Sequence, residues 1–259
     1  MSHISQAFKA PGRVALIGYV TVGYPSLEAT FKAVAVLEEA GCDIVELGIP
    51  FSDPLADGVT IQRASHQALE AGVTPTVCLE TASKIRQRVS LPLLFMTYYN
   101  SILRFGPKSF CQASAKAGVD GLIVPDLPPE EGQALEEASS AEGLDLVYLL
   151  APNSTPERIA LVAQHSRGFI YLVSLTGVTG PRESLPADLS GFVTRVRHYA
   201  KQPLCIGFGV ASPEQAKRFA SLADGVIVGS RLIQLIEEDT SLRFLRDFVA
   251  SLRKALDKG

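Results

Sequence analysis

Four stretches of the chain repeat one short pattern: Glu39-Ala40-Gly41-Cys42-Asp43-Ile44-Val45, Lys116-Ala117-Gly118-Val119-Asp120-Gly121-Leu122-Ile123, Ala141-Glu142-Gly143-Leu144-Asp145-Leu146-Val147 and Leu222-Ala223-Asp224-Gly225-Val226-Ile227. In the first three, a helix ends at a glycine that can take the left-handed conformation, and an apolar run begins within two or three residues. The fourth has no such glycine and turns at Ala223-Asp224. Apolar runs of this kind are buried on both faces, as in parallel sheets. A repeated helix-to-strand unit therefore constrains the fold more than any other feature of the chain.

Eight such runs can be counted, near residues 14–20, 43–49, 92–97, 120–125, 145–150, 169–174, 203–207 and 224–229. Amphipathic helices lie between them. One carries Leu27, Phe31, Val34 and Leu37 on a single face; another starts at Thr155-Pro156 and carries Ile159, Leu161 and Val162. The stretch from Thr60 to Val89 has room for two helices, 241–257 forms a closing helix, and 178–190 reads as a mobile loop. Eight strands alternating with helices predict an α/β fold, a single-domain (βα)8 TIM barrel over residues 1–259, a length usual for that fold. Periodicity alone also admits an open doubly wound sheet.

An apolar content of 47% supports a sizeable core. The net charge of −3, with Lys and Arg scattered, offers no attraction to nucleic acid or an anionic membrane. Cys42, Cys78, Cys111 and Cys205 are far apart in sequence and read as buried thiols of a cytoplasmic protein. Met1 to Ala10 lacks the apolar core of a signal peptide, and no stretch reaches the roughly 18 to 20 apolar residues of a membrane span.

Within the second apolar run stands Glu46, followed by Leu47-Gly48-Ile49-Pro50-Phe51-Ser52-Asp53-Pro54-Leu55-Ala56-Asp57-Gly58. A carboxylate in a buried strand costs several kcal/mol unless it is hydrogen-bonded, paired or protonated. In a βα-barrel, catalytic groups sit at the C-terminal ends of strands and on the loops after them. Glu46, Asp53 and Asp57 fit that placement, as do Tyr98, Asn100 and Asp126; Tyr171 lies within the sixth run. Capping of backbone amides is the competing role for Glu46, and fixing a turn beside proline is the competing role for Asp53 and Asp126. Three glycine-rich segments follow the last strands: Gly177-Val178-Thr179-Gly180, Gly207-Phe208-Gly209-Val210 and Gly229-Ser230. Placed together after strands six, seven and eight, with Ser230 opening a helix, they point to a phosphate site held largely by neutral donors. None of the eight runs contains Lys, so a Schiff-base mechanism lacks its amine. His3, His66, His165 and His198 fall in the N-terminal tail or in helices, where no cluster suits a catalytic metal. Carboxylate acid–base chemistry on a phosphorylated substrate is what the residues leave.

The run from Glu46 to Gly58 resembles the signature of the tryptophan synthase alpha subunits. The resemblance continues through Tyr171-Leu172-Val173-Ser174, Gly177 to Gly180, Gly207 to Val210 and Gly229-Ser230, and covers about residues 14 to 257. It implies a lyase of L-tryptophan biosynthesis that cleaves indole-3-glycerol phosphate to indole and glyceraldehyde 3-phosphate. It matches Glu46 and Asp57 to the catalytic carboxylates. It also matches Tyr171, Thr179, Gly180, Gly207, Phe208, Gly209, Gly229 and Ser230 to substrate or phosphate contacts. For such a substrate the apolar residues near Tyr98, Leu122 and Tyr171 are candidates to surround the indole ring, ordinary core packing being their competing role. Asp53, Pro54 and Asp126 match the side facing a beta subunit, with which the family forms an alpha2beta2 heterotetramer. The resemblance implies no metal or cofactor in this chain, the pyridoxal phosphate being expected only in that partner. On these residues Glu46, in its apolar strand, is expected to have a raised pKa, and Asp57, more solvated, to stay ionised. A stand-alone lyase, an activator of the beta subunit and another phosphosugar barrel enzyme stay open as alternatives.

Overall fold

The computed structural model describes residues 2–9, 12–173, 188–207 and 209–257. Among them, nine parallel strands carry the fold: β1 (Ala15–Thr21), β2 (Ile44–Gly48), β3 (Leu93–Met96), β4 (Gly121–Ile123), β5 (Asp145–Val147), β6 (Leu149–Leu150), β7 (Ile170–Val173), β8 (Leu204–Gly207) and β9 (Gly225–Val228). They hydrogen-bond in the order β5-β4-β3-β2-β1-β9-β8-β7-β6. The two ends of that order, β5 and β6, are one stretch of chain interrupted at a single residue, Tyr148. The order therefore returns to its start: eight staves form a barrel, and the fifth is broken in the middle. The Tyr171 N–H donates to the Tyr148 carbonyl at 3.0 Å and stitches across the break. This closure decides between the barrel and the open sheet.

Helices cover the outside: α1 (His3–Gln6), α2 (Leu27–Glu39), α3 (Val59–Glu70), α4 (Pro75–Arg86), α5 (Tyr99–Phe105) and α6 (Pro107–Lys116) in the first half. The second half adds α7 (Gln133–Ala141), α8 (Pro156–His165), α9 (Leu189–Tyr199), α10 (Pro213–Ala220), α11 (Ser230–Glu238) and α12 (Arg243–Leu256). The stretch 60–89 does hold two helices, α3 and α4. Starts are set locally: Thr74, Thr155 and Ser212 each accept a backbone N–H from the first turn, and each is followed by proline at the first helical position. The expected loop at 178–190 lies mostly outside the described residues, and its last two residues already belong to α9. Among the described residues no helix is long and apolar enough to cross a membrane. All four cysteines are buried and unpaired.

Three of the four repeated aspartates, Asp43, Asp120 and Asp224, have a shared structural role. The Asp43 carboxylate, just before β2, accepts the Leu16 N–H of β1 at 2.8 Å; Asp120, before β4, accepts that of Leu93 in β3 at 2.8 Å. Asp224, before β9, accepts that of Leu204 in β8 at 2.7 Å. An arginine holds each one: Arg253 and Arg13 at Asp43, Arg86 at Asp120, and Arg197 at Asp224. Each carboxylate thus locks the start of one strand to its neighbour. Gly41, with φ +103°, both stops α2 and admits Arg253, whose Cγ would stand 2.8 Å from a Cβ there. Inside the barrel, Ile17, Ile44, Leu94, Ile123, Val147 and Ile227 pack against Ile4 of α1, which closes the N-terminal mouth.

Arg253 is 8% exposed and donates to Asp43 at 2.8 Å and to the Val14 carbonyl at 2.9 Å. Arg253→Met keeps the stem and removes the charge. It is expected to lower the unfolding free energy by about 2–3 kcal/mol, below the full cost of a stranded charge because Arg13 still faces Asp43. A urea midpoint equal to that of the unaltered protein contradicts this.

Candidate active site

Glu46 is the middle residue of β2, and the β1–β2 register sets Tyr19 opposite it. It shares a face with Ile44, which packs in the barrel interior, because strand side chains alternate. The carboxyl is fully buried, and neither oxygen has a hydrogen-bond partner among the described residues. Burial pushes it up to about 8, so near neutrality it is an acid carrying its proton. Asp57 ends the loop after β2, just before α3. It is less solvated than its loop position suggests: 7% exposed, and pushed up to about 6 by burial, with a Tyr98 hydrogen bond pulling the other way. The order expected from the sequence survives, with Glu46 the weaker acid and Asp57 the group that ionises first.

Long-range contacts hold the loop carrying Asp57. The Tyr98 hydroxyl accepts the Ala56 N–H at 2.9 Å, and its ring stacks on Phe51 with centroids 5.0 Å apart. Gln62, in α3, donates to the Asp57 carbonyl at 2.8 Å. Tyr98 is buried against this loop and is not among the residues lining the cavity. Asp126 lines the cavity and also accepts the Tyr99 N–H at 2.9 Å, capping α5. Asp53, which accepts the Ser52 hydroxyl at 2.5 Å, and Pro54 lie on the outer part of the loop next to Leu55, which is 89% exposed.

A cavity of about 530 Å³ opens at the C-terminal end of the barrel. Glu46, Asp57 and Tyr171 meet in it, with Gly207, Gly209, Gly229 and Ser230 along one side. Tyr171 is buried; its phenol is raised by burial and then by the neighbouring Glu46 and Asp57. Gly207 faces that ring: a Cβ there would stand 2.6 Å from it, so this glycine makes room for the tyrosine. Gly48 does the same for the Tyr19 hydroxyl. Gly229 caps α11 and Ser230 is its first residue, so the positive end of that helix faces the cavity. Thr179, Gly180 and Phe208 lie outside the described residues. Of the polar lining residues, Tyr19, Tyr148, Ser154 and Arg158 escaped the sequence reading. Tyr19 is a polar group two residues beyond Ile17 on the same strand face, and that was its signal; Arg158 sits in the first turn of α8 and pairs with Glu130. Among the described residues, no group of three or more His, Cys, Asp or Glu side chains is placed to hold a metal.

A family model described as tryptophan synthase alpha chain matches residues 5–255. The chain belongs to the tryptophan synthase alpha chain family. The alpha chain of Dehalococcoides mccartyi is 58% identical over 257 residues, which are 99% of this chain and 100% of that one. The alpha chain of a Geobacter species is 46% identical, covering 100% and 99%. Among solved structures, a chain of Mycobacterium tuberculosis tryptophan synthase superposes with a TM-score of 0.93 at 41% identity, covering 99% and 97%. The alpha subunit of Legionella pneumophila gives 0.91 at 34% identity, with both chains fully covered. A barrel with two buried carboxylates at its C-terminal end is thus found in a chain of the alpha-chain family.

The pKa of Glu46 predicts a stability effect of known sign. Its folded value, about 8, lies above the ordinary 4.5, so unfolding releases a proton between those limits and stability falls as pH rises through them. Glu46→Gln removes that slope. The variant is expected to gain on the unaltered protein between pH 5 and pH 8 in urea unfolding; a constant difference between the two proteins across that range contradicts the assignment.

Proposed function

We propose that Glu46 and Asp57 are the acid–base pair of the family's reaction, in which indole-3-glycerol phosphate is cleaved to indole and glyceraldehyde 3-phosphate. The chain is a carbon–carbon lyase of tryptophan biosynthesis by its family. One observation carries the assignment of residues: two buried carboxyl groups whose proton affinities differ share one cavity with a helix N-terminus. Cleavage requires a proton at indole C3 and loss of a proton from the adjacent hydroxyl. Glu46, neutral at the start, delivers its proton to C3, and the ring becomes a cation with its charge at the indole nitrogen. Asp57, ionised, faces that N–H and stabilises the charge. The Glu46 carboxylate then takes the hydroxyl proton while the bond between C3 and the glycerol carbon breaks. The bonding electrons return to the ring, indole leaves neutral, and the aldehyde forms.

The strand order supports the substrate's orientation. Loops after β7, β8 and β9 offer the anion site, to which we assign Gly207, Gly209, Gly229 and Ser230, together with Thr179, Gly180 and Phe208 on family resemblance. The opposite arc, β3 to β6, presents Met96, Leu127, Leu149 and Leu150 to the cavity and suits the indole ring. The family's partner is a beta subunit. We assign Asp53, Pro54 and Asp126 to the face turned toward it, near the exposed Leu55, Val59 and Leu103. We further read the chain as a single barrel domain over 1–259, cytoplasmic, in an alpha2beta2 assembly whose pyridoxal phosphate belongs to the beta subunit.

The rate of indole release should be bell-shaped in pH, rising through about 6 as Asp57 ionises and falling through about 8 as Glu46 loses its proton. Glu46→Gln should lower kcat by roughly 10²–10⁴ with substrate binding retained. Near-normal turnover of that variant sinks the assignment. Ser230→Asp sets a carboxylate at the start of α11, and KM for indole-3-glycerol phosphate should rise roughly tenfold or more through repulsion of the phosphate. An unchanged KM removes Ser230 from the phosphate site.

A further inference from the structure

The cavity wall on the arc away from the glycines is made of two pieces of chain. One is 125–129, after β4, and the other runs from Tyr148 through 149–151 and on to Ser154 and Arg158. Strand pairing holds the second piece on one side only: Leu149 and Leu150 pair with Tyr171 and Leu172 of β7, whereas the ladder toward β4 ends at Ile123 and Val147, so it does not set the spacing between the two pieces. A side-chain cluster behind the wall supplies the missing constraint. The Tyr148 hydroxyl donates to Glu136 Oε1 at 2.7 Å. His165 Nδ1 lies 2.9 Å and 3.0 Å from the two oxygens of the same carboxylate. Glu136 belongs to α7, which directly follows the first wall piece, and His165 ends α8, which follows the second. The phenol reaches Glu136 by passing over Gly132, the residue capping α7; a Cβ at that position would collide with the hydroxyl.

The backbone of Tyr148 is held as firmly as its side chain. Its N–H donates to Ser166 Oγ at 3.0 Å, and its carbonyl accepts the N–H of Tyr171, the tyrosine beside Glu46 in the cavity. One residue therefore ties together the strand break, the Tyr171 strand and the loop that carries Asp126. Arg158 and Glu130 form a second link between the same two pieces, but they are solvent-exposed enough to contribute little. The phenol's bond to the half-buried Glu136 carboxylate is the better shielded of the two links.

We propose that Tyr148, anchored by Glu136 and His165, is a positioning residue that sets the spacing of the cavity wall receiving the indole ring. This rests on the reading of the ligand given above. Tyr148 acts through the wall residues and not on the reacting atoms, so its loss is felt in binding before turnover.

The chain contains no Trp, so excitation selective for indole reads the ligand without background from the protein. Titrating the full chain with indole, Tyr148→Phe should weaken binding roughly five- to tenfold, because a wall freed from its anchor must be ordered again when the ligand binds. Glu136→Ala should do the same, while Glu136→Gln, which keeps an acceptor for the phenol, should stay near the unaltered protein. In cleavage assays, KM of Tyr148→Phe should rise by the same factor with kcat unchanged. The proposal is overturned if Tyr148→Phe binds indole normally, if its loss only follows a loss of folded protein, or if Glu136→Gln is as poor as Glu136→Ala. Failure of the unaltered chain to bind indole overturns it as well. An unaltered chain that binds indole but does not cleave indole-3-glycerol phosphate defeats the assigned reaction instead, and the indole titrations still decide the role of Tyr148.

Discussion

The hydrogen bond from the Leu16 N–H to the Asp43 carboxylate sets more of this protein than its size suggests. It fixes the start of β1 against the start of β2, and the register that follows places Ile17 beside Ile44 and Tyr19 beside Glu46. A slip of one residue would turn every side chain of one strand to the other face and send Glu46 outward among the helices. The raised pKa of Glu46 is thus a consequence of register before it is a property of the glutamate. The same device recurs at Asp120 and Asp224, so pinning of strand starts is spread around the ring.

The two ends of the barrel divide the electrostatic work. At the N-terminal end, the half-buried carboxylates of Asp43, Asp120 and Asp224 are paired with arginines and accept backbone N–H groups, which favours the fold. At the C-terminal end, Glu46 is fully buried with no partner among the described residues, and Asp57 is nearly so. Burial costs stability and raises both pKa values toward neutrality, that of Asp57 less because a Tyr98 hydrogen bond pulls the other way. The arrangement is tolerable because the paired end, the plug at Ile4 and the aliphatic layer between strands and helices hold the barrel independently of the site.

What could be read in advance follows the range of the interactions. The eight apolar runs and the glycines at 41, 118 and 143 are local signals, and all three glycines do take positive φ after their helices. The repeated aspartate was visible as a pattern but not as a register lock, because its acceptor geometry involves strand starts 20 to 27 residues away in the chain. Asp57 looked solvated for a similar reason: its burial comes from Tyr98 and Phe51 closing the loop over it. Tyr98, which follows its strand as expected, holds the loop through Ala56 and Phe51. Glu46 was legible because a carboxyl group in an apolar strand is anomalous on any scale of burial.

The break in the fifth stave has a physical rationale of its own. A ring of eight closely paired strands leaves an interior that side chains fill, with little room for a bicyclic ligand. Interrupting the ladder toward β4 lets the wall stand back there, but it removes the hydrogen bonds on that side, leaving Leu149 and Leu150 paired with β7 alone. At Tyr148 those bonds are replaced from outside the barrel, by Ser166 on the backbone and Glu136 on the phenol, with Gly132 making the passage possible. The retained bond to Tyr171 keeps the break from spreading into the next strand, which carries part of the site. Ladder pairing could not both open the wall and hold it; side chains anchored in two flanking helices can.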